Sequence, residues 1–340
     1  MPDSGYGRNR PEPGGAVLKV ADQNKMLFHG CIDVEKREKG YLAKRFTPEQ
    51  FERYTKMPWC IYPYCTAGVF MEFVTAAEEI SFDYYFSQLF FSSVVFDIFE
   101  NDTYMAFVRE PDDSKEGRVV YRKKTPGTVR IRIYLPYNGE THISEIRFGD
   151  YKTTRDRRRN KLLVYGDSIS QGLMGSHPYM SYVPLISDVI GADYLNLSVG
   201  GDLFDKNMID PSLPFTPTAV IVALGTNDLP FVGDYKKIKK NIEDFFARLR
   251  EVYPNIPVNV ISTIWQTDLE RFDTEEERNK YKLYMQIYRK TMKESDKAGC
   301  NTIDGLKIMP HVPEYFTDHA HPNDMGFLQY ALNLLRFLKY

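Results

Sequence analysis

The chain has 340 residues, 43% of them hydrophobic and 26% charged, with a formal net charge of −2. That composition excludes a collagen-like or globally disordered chain, and the near balance of charge offers nucleic-acid phosphates no basic footprint. The length allows two domains, each with a core of its own.

Residues 1–15 read as a flexible, Pro/Gly-rich N-terminus without the basic start and apolar centre of a secretory signal. No apolar run reaches the ~20 residues needed to span a bilayer, so the expectation is a cytoplasmic protein with no membrane partner and no nucleic-acid partner. Cys31, Cys60, Cys65 and Cys300 are too few and too scattered for a disulfide framework. Cys60 and Cys65 have no matching Cys/His pair nearby, and all four read as reduced thiols.

Residues 16–150 form the first predicted domain. A helix is expected over Pro48–Thr55, capped by Thr47. Short, aromatic-rich alternating segments then read as strands: Gly68–Val74, Ile80–Phe86, Ser92–Phe99, Thr103–Val108, Arg118–Arg122, Thr128–Leu135 and His142–Phe148. Turn signals such as Glu100-Asn101-Asp102, Thr125-Pro126-Gly127 and Asn138-Gly139 separate them. This spacing predicts an antiparallel β-sandwich of jelly-roll type.

Residues 151–160 are the predicted basic linker, carrying Arg155, Arg157, Arg158 and Arg159. The run reads as a solvated hinge rather than an anion site. From 161 to 340 strands alternate with helical patterns. Strands are expected at Lys161–Tyr165, Asp193–Leu197, Thr218–Leu224, Ile256–Ser262 and Asn301–Asp304. Helices are expected at Tyr179–Ile190, Asp234–Val252, Glu275–Ala298 and Asp324–Leu338. Near-continuous Val/Ile/Leu strands in repeated β-α-β order mean a parallel sheet covered on both faces, an α/β three-layer fold.

The chemistry-bearing motifs fall at the carboxyl ends of those strands, where open α/β sheets place their ligands. The first strand ends on Gly166-Asp167-Ser168, and Gly172 follows shortly after. A serine at such a strand end is placed as a nucleophile, although the same residues also suit a tight turn with Ser168 as a helix cap. A hydroxyl needs a base and a group to orient that base. Asp318-His319-Ala320-His321-Pro322 supplies both: His321 as base and Asp318, three residues earlier, as orienting carboxylate, with His319 a solvent-facing neighbour. The oxyanion needs preorganised donors. Asn196-Leu197-Ser198-Val199-Gly200-Gly201-Asp202 and Gly225-Thr226-Asn227-Asp228 can provide backbone and side-chain N–H groups. A metal held by Asp318, His319 and His321 finds no other His/Cys cluster in support, so no metal and no cofactor are expected. Asp167 reads as a structural partner of the nucleophile turn.

These four segments resemble the ordered sequence blocks of the SGNH hydrolases, the GDSL esterase/lipase superfamily. The resemblance covers about residues 161–340, with Ile169 where many members have leucine. It implies a flavodoxin-like α/β/α catalytic domain, a triad of Ser168, Asp318 and His321, and an oxyanion hole built from Ser168, Gly201 (Gly200 being the weaker choice) and Asn227. A β-sandwich ahead of such a domain is similar to the arrangement of carbohydrate esterase family two, whose members remove acetyl groups from saccharides and often lack the triad aspartate. Asp318 is present here.

The reading is a serine esterase acting on O-acetyl or short acyl esters of oligo- or polysaccharides, its partner being that small-molecule or oligosaccharide substrate. A short-chain lipase or thioesterase using the same triad is the alternative within the same chemistry. A carbohydrate-binding protein with an inactive hydrolase domain is the alternative from another class. Trp265, after the fourth strand of this half, could stack on a sugar ring or seal the interface between domains, and Tyr182 and Tyr179 are similar substrate-binding candidates.

Overall fold

A computed structural model describes residues 22–57, 62–90, 93–154, 158–268 and 272–340. Cys60, the start of the strand expected from Ser92, and Arg155 and Arg157 of the basic linker lie outside these residues, as do residues 1–15.

The first half is a sandwich of two antiparallel sheets. Its strands are β1 (Phe28–His29), β2 (Asp33–Arg37), β3 (Gly40–Lys44), β4 (Phe70–Thr75), β5 (Glu79–Leu89), β6 (Val94–Glu100), β7 (Thr103–Glu110), β8 (Glu116–Arg122), β9 (Val129–Tyr134), β10 (Gly139–Arg147) and β11 (Tyr151–Thr153). One sheet runs β1-β4-β9-β6-β7 with β11 also paired to β4, and the other runs β2-β3-β10-β5-β8. Alternation drives the packing. Along β5, Ile80, Phe82, Tyr84 and Phe86 are buried, and Phe82 meets Phe96 of the opposite sheet edge to face at 5.5 Å. Helix α1 (Pro48–Thr55) leaves the sandwich after β3, and its N-cap is a reciprocal box in which Thr47 and Gln50 each bond the other's backbone N–H.

Two features depart from the sequence reading. Strands β1, β2 and β3 were not expected, and Asp33-Val34-Glu35-Lys36-Arg37 of β2 is charged at all but one position. It is an edge strand, where charge is favoured and only Val34 reaches the core. The linker is also shorter than 151–160: Tyr151–Thr153 pairs with Phe73–Thr75 and completes the first sheet, while Asn160 already pairs with Ala192 in the next one. Arg158 is no solvated hinge residue either, since its guanidinium donates to the Ala192 carbonyl at 2.7 Å.

The second half is a parallel sheet of order β13-β12-β14-β15-β16, formed by β12 (Asn160–Gly166), β13 (Ala192–Asn196), β14 (Ala219–Ala223), β15 (Val258–Ile261) and β16 (Asn301–Ile303). Its helices are α2 (Ser168–Gln171), α3 (Tyr182–Ile190), α4 (Asp228–Val232), α5 (Tyr235–Val252), α6 (Glu275–Lys297), α7 (Gly305–Ile308) and α8 (Asp324–Leu334). Leu162 to Tyr165 are all buried because β12 is covered on both faces. The helix expected from Tyr179 starts at Tyr182 instead, after a short 3₁₀ turn over Pro178–Met180. Pro184 sits in its first turn, where a missing N–H costs nothing.

The sandwich keeps a core of its own around Phe73, Phe82 and Phe96, and it also adds residues to the interior of the second half. One core joins Phe46, Tyr54 and Met57 to Leu197, Val199 and Phe204, and another joins Phe70, Phe99 and Tyr134 to Tyr182 and Tyr194. A buried ion-pair set crosses between them, with Arg132 on β9 bonded to Glu72 at 2.8 Å and to Asp188 of α3 at 2.9 Å. No helix among the described residues is long and apolar enough to cross a membrane.

Candidate active site

Strand β12 ends at Gly166 and the chain turns at once into α2. Glycine is required at that bend, because a Cβ on Gly166 would collide with the Ser170 side chain and approach Ser198 Oγ to 2.8 Å. Asp167 caps the turn, its Oδ1 accepting the Ile169 N–H at 3.0 Å. Ser168 is therefore the first residue of α2, at the carboxyl edge of the sheet, and it is 6% exposed. Its hydroxyl lies 2.8 Å from His321 Nε2.

The loop before α8 carries Asp318 and His321. His321 Nδ1 lies 2.8 Å from Asp318 Oδ2. The other oxygen of Asp318 accepts the backbone N–H groups of Ala320 (2.8 Å) and His321 (2.7 Å), so the carboxylate is fixed before the imidazole contact is counted. Partial burial works against the ionised form. The two backbone donors and the imidazole outweigh it and hold this carboxyl below its ordinary range. An ionised Asp318 accepts the Nδ1 proton, which leaves Nε2 able to accept the Ser168 proton. His319, one residue from Ala320, is exposed.

Two loops flank the serine. After β13, Asn196 folds back to donate to the Ser170 carbonyl at 2.8 Å and accepts the Ser198 N–H at 3.0 Å. The chain then passes through Gly200 and through Gly201, whose φ of +84° suits glycine. The Gly200 N–H is taken by Gln171 Oε1 at 2.7 Å. After β14, Asn227 stands at the N-cap position of α4, but its side chain makes no capping hydrogen bond. Its side-chain amide donates one N–H to the Asp202 carbonyl at 3.2 Å, and an amide has a second to give.

Behind these loops sit three buried carboxyls. Asp167 and Asp228 are pushed up to about 7, first by burial and then by neighbouring negative charge, that of Asp202 for Asp167 and those of Asp167 and then Asp202 for Asp228. Asp202 meets a cation: Arg53 of α1 contacts it at 2.5 Å.

The substrate-binding candidates fare differently. Tyr182 is fully buried, its hydroxyl 2.7 Å from Ser170 Oγ and its ring against Tyr330. It supports the turn that carries Ser168 and presents no face to a substrate, which corrects the expectation. Tyr179 packs on Phe99 and Tyr134 at the junction of the two halves. Trp265 is 5% exposed, stacked on His311 and edge-on to Phe316. It is part of the wall beside the histidine loop rather than an open platform for a sugar ring. Reasoning from the sequence missed Gln171, which ties the Gly200 N–H to the Tyr137 carbonyl of the sandwich (3.3 Å), and it missed Arg45 and Arg53. Gln171 lies three residues after Ser168 and could have been suspected; nothing marks the arginines.

Residues 164–327 match the model of the GDSL-like Lipase/Acylhydrolase family. No curated protein matches the sequence. Among solved structures, the chain is similar to the salicylyl-acyltransferase SsfX3 from a tetracycline biosynthetic pathway (16% identity, 91% of this chain and 93% of that one, TM-score 0.73). A putative GDSL-like lipase from Bacteroides ovatus is similar at 18% identity, 94% and 98% coverage and a TM-score of 0.72. A family two carbohydrate esterase from Clostridium thermocellum, solved with cellohexaose, is similar at 14% identity, 82% and 92% coverage and a TM-score of 0.59. At such identities the likeness is one of fold, and it extends over both halves of the chain.

Proposed function

We propose, from the match of residues 164–327 to the GDSL-like Lipase/Acylhydrolase model, a serine esterase that removes acetyl or other short acyl groups from hydroxyls of saccharides. The observation that carries the reading is the unbroken chain of 2.8 Å contacts from Ser168 Oγ to His321 and from His321 to Asp318.

Ser168 Oγ attacks the ester carbonyl while His321 Nε2 takes its proton, and Asp318 stabilises the imidazolium and holds its orientation. The carbonyl π electrons move to oxygen, where the N–H groups of Ser168 and Gly201 and the Asn227 amide receive the negative charge. Collapse of the tetrahedral intermediate breaks the bond to the sugar oxygen, which leaves with the His321 proton. Water then gives a proton to His321 and attacks the acyl-serine, and a second collapse returns the proton to Ser168 and releases the acid. Serine and histidine end as they began, and no metal or organic cofactor enters the scheme.

The two-half arrangement is shared with the acyltransferase, the putative lipase and the family two carbohydrate esterase above; the last was solved with cellohexaose, and that supports the sugar ester. The test is acetate release from acetylated xylo-, manno- and gluco-oligosaccharides, set beside butyryl and octanoyl esters. Release from one sugar class with little turnover of octanoyl esters is the expected result. A clear preference for longer acyl chains would move the substrate to lipids or thioesters. Asn227→Ala, assayed on the best substrate, is expected to lower kcat by about 10²- to 10³-fold with a small change in KM, as loss of one oxyanion donor does elsewhere. A fall in kcat of less than threefold would remove Asn227 from the oxyanion hole.

A further inference from the structure

Helix α1 belongs to the first half of the chain, yet its buried polar side chains are spent on the loop after β13. We infer that Arg53 is a positioning residue of the esterase, holding the Gly200–Asp202 backbone and, through it, both flanking oxyanion donors. The inference rests on the oxyanion assignment of Gly201 and Asn227 made above.

The contacts converge on Asp202. Arg53 Nη2 lies 2.5 Å from Asp202 Oδ1 and Nη1 lies 3.3 Å from Oδ2, while Nε reaches Asp205 at 2.6 Å. The Tyr54 hydroxyl donates to Asp202 Oδ2 at 2.9 Å. The main chain of the same residue serves the site: its N–H donates to the Val199 carbonyl at 3.0 Å, closing the turn that contains Gly200 and Gly201. Its carbonyl accepts the Asn227 amide at 3.2 Å and so sets that amide's orientation. At the start of the loop Arg45, also from the first half, donates to the carbonyls of Asn196 (2.6 Å) and Ser198 (3.1 Å).

Why an arginine is needed follows from the surroundings. Asp202 is fully buried beside Asp167 and Asp228, where an uncompensated carboxylate is strongly disfavoured. A guanidinium supplies charge and, through its fork, fixes the plane of the carboxylate as an ammonium does not. Oxyanion donors lower the barrier only if they are held before charge develops, and a small displacement of a donor forfeits much of its effect.

The test compares Arg53→Met, Arg53→Lys, Arg132→Met and Ser168→Ala in the full chain. Hydrolysis of 4-nitrophenyl acetate and inhibition by phenylboronic acid, whose serine adduct places an oxygen in the oxyanion hole, are the readouts. Arg53→Met is expected to lower kcat roughly 10- to 100-fold with KM within about threefold, and to weaken phenylboronic acid by a similar factor. Arg53→Lys should fall between this variant and the wild type. Arg132→Met removes another buried arginine that bridges the halves but does not touch this loop. It should lower Tm while keeping kcat within about twofold of wild type. Wild-type kcat and inhibitor affinity in Arg53→Met overturn the inference, as does an equal loss of kcat in Arg132→Met. If Arg53→Met does not fold, wild-type kcat and affinity in a folded Arg53→Lys overturn it. Full activity in Ser168→Ala is a separate failure, that of the esterase reading, and takes the inference with it.

Discussion

Ser168→Ala is expected to lower kcat for acetyl-ester hydrolysis by about 10⁵- to 10⁶-fold, leaving only what oxyanion donors and binding supply without a nucleophile. The fold should survive the change. The hydroxyl's contact is with His321, whereas the turn is held by backbone: the Ser168 carbonyl accepts the Gly172 and Leu173 N–H groups, and Asp167 caps the helix start. Alanine keeps all of these and is a good helix former. Wild-type enzyme quenched in acid during turnover should carry an acyl group on the peptide containing residue 168, and the variant should not. A variant within tenfold of wild-type kcat would end the acyl-serine scheme.

Asp318→Asn carries the second largest expected effect, a loss in kcat of about 10⁴-fold from the replacement of one oxygen by an NH₂ group. The geometry says which oxygen is replaced. Oδ1 accepts two backbone N–H groups, so the amide oxygen of asparagine must stay there. The NH₂ group then faces His321 Nδ1 at the place of Oδ2. Two donors cannot bond each other, and the imidazole must move its proton to Nε2, where it can no longer accept from serine. The measurement is kcat together with the imidazole ¹⁵N shifts, which report the tautomer directly. A loss under about tenfold with an unchanged tautomer would mean that His321 is oriented by another acceptor. The same two backbone donors keep Asp318 ionised as pH falls. A carboxylate held below its usual range loses its contribution only when pH falls through that lowered value, so Asp318 is not the group that ends activity at mildly acidic pH.

Much of the site was legible because its parts sit where one strand ends. Gly166-Asp167-Ser168 closes an apolar run, and Gly225-Thr226-Asn227-Asp228 closes another, so period and punctuation mark both places without knowledge of the fold. Asp318 and His321 could be paired because three residues separate them. Arg53 and Asp202 stand 149 residues apart, and an arginine on a short amphipathic helix gives no sign that its partner lies across a domain boundary. Tyr182 was misread for a related reason. Proximity in sequence to a nucleophile does not say which way a helix turns its first residue, and the pairing with Tyr330 from the last helix decides it. Strand β2 was lost because its signal is normally burial on one face, and an edge strand charged at four of five positions has almost none.

The aromatic rings that the sandwich contributes to the interior of the α/β half, Phe70, Phe99 and Tyr134 on one side and Phe46 and Tyr54 on the other, bear on how such a chain can evolve. A module that closes its own surface can be cut out, duplicated or traded between genes. Here each half would leave behind large apolar faces and, around Asp202, a stranded charge. The packing ties the two halves into one unit, so they are expected to melt in a single transition and to be inherited together rather than exchanged as parts.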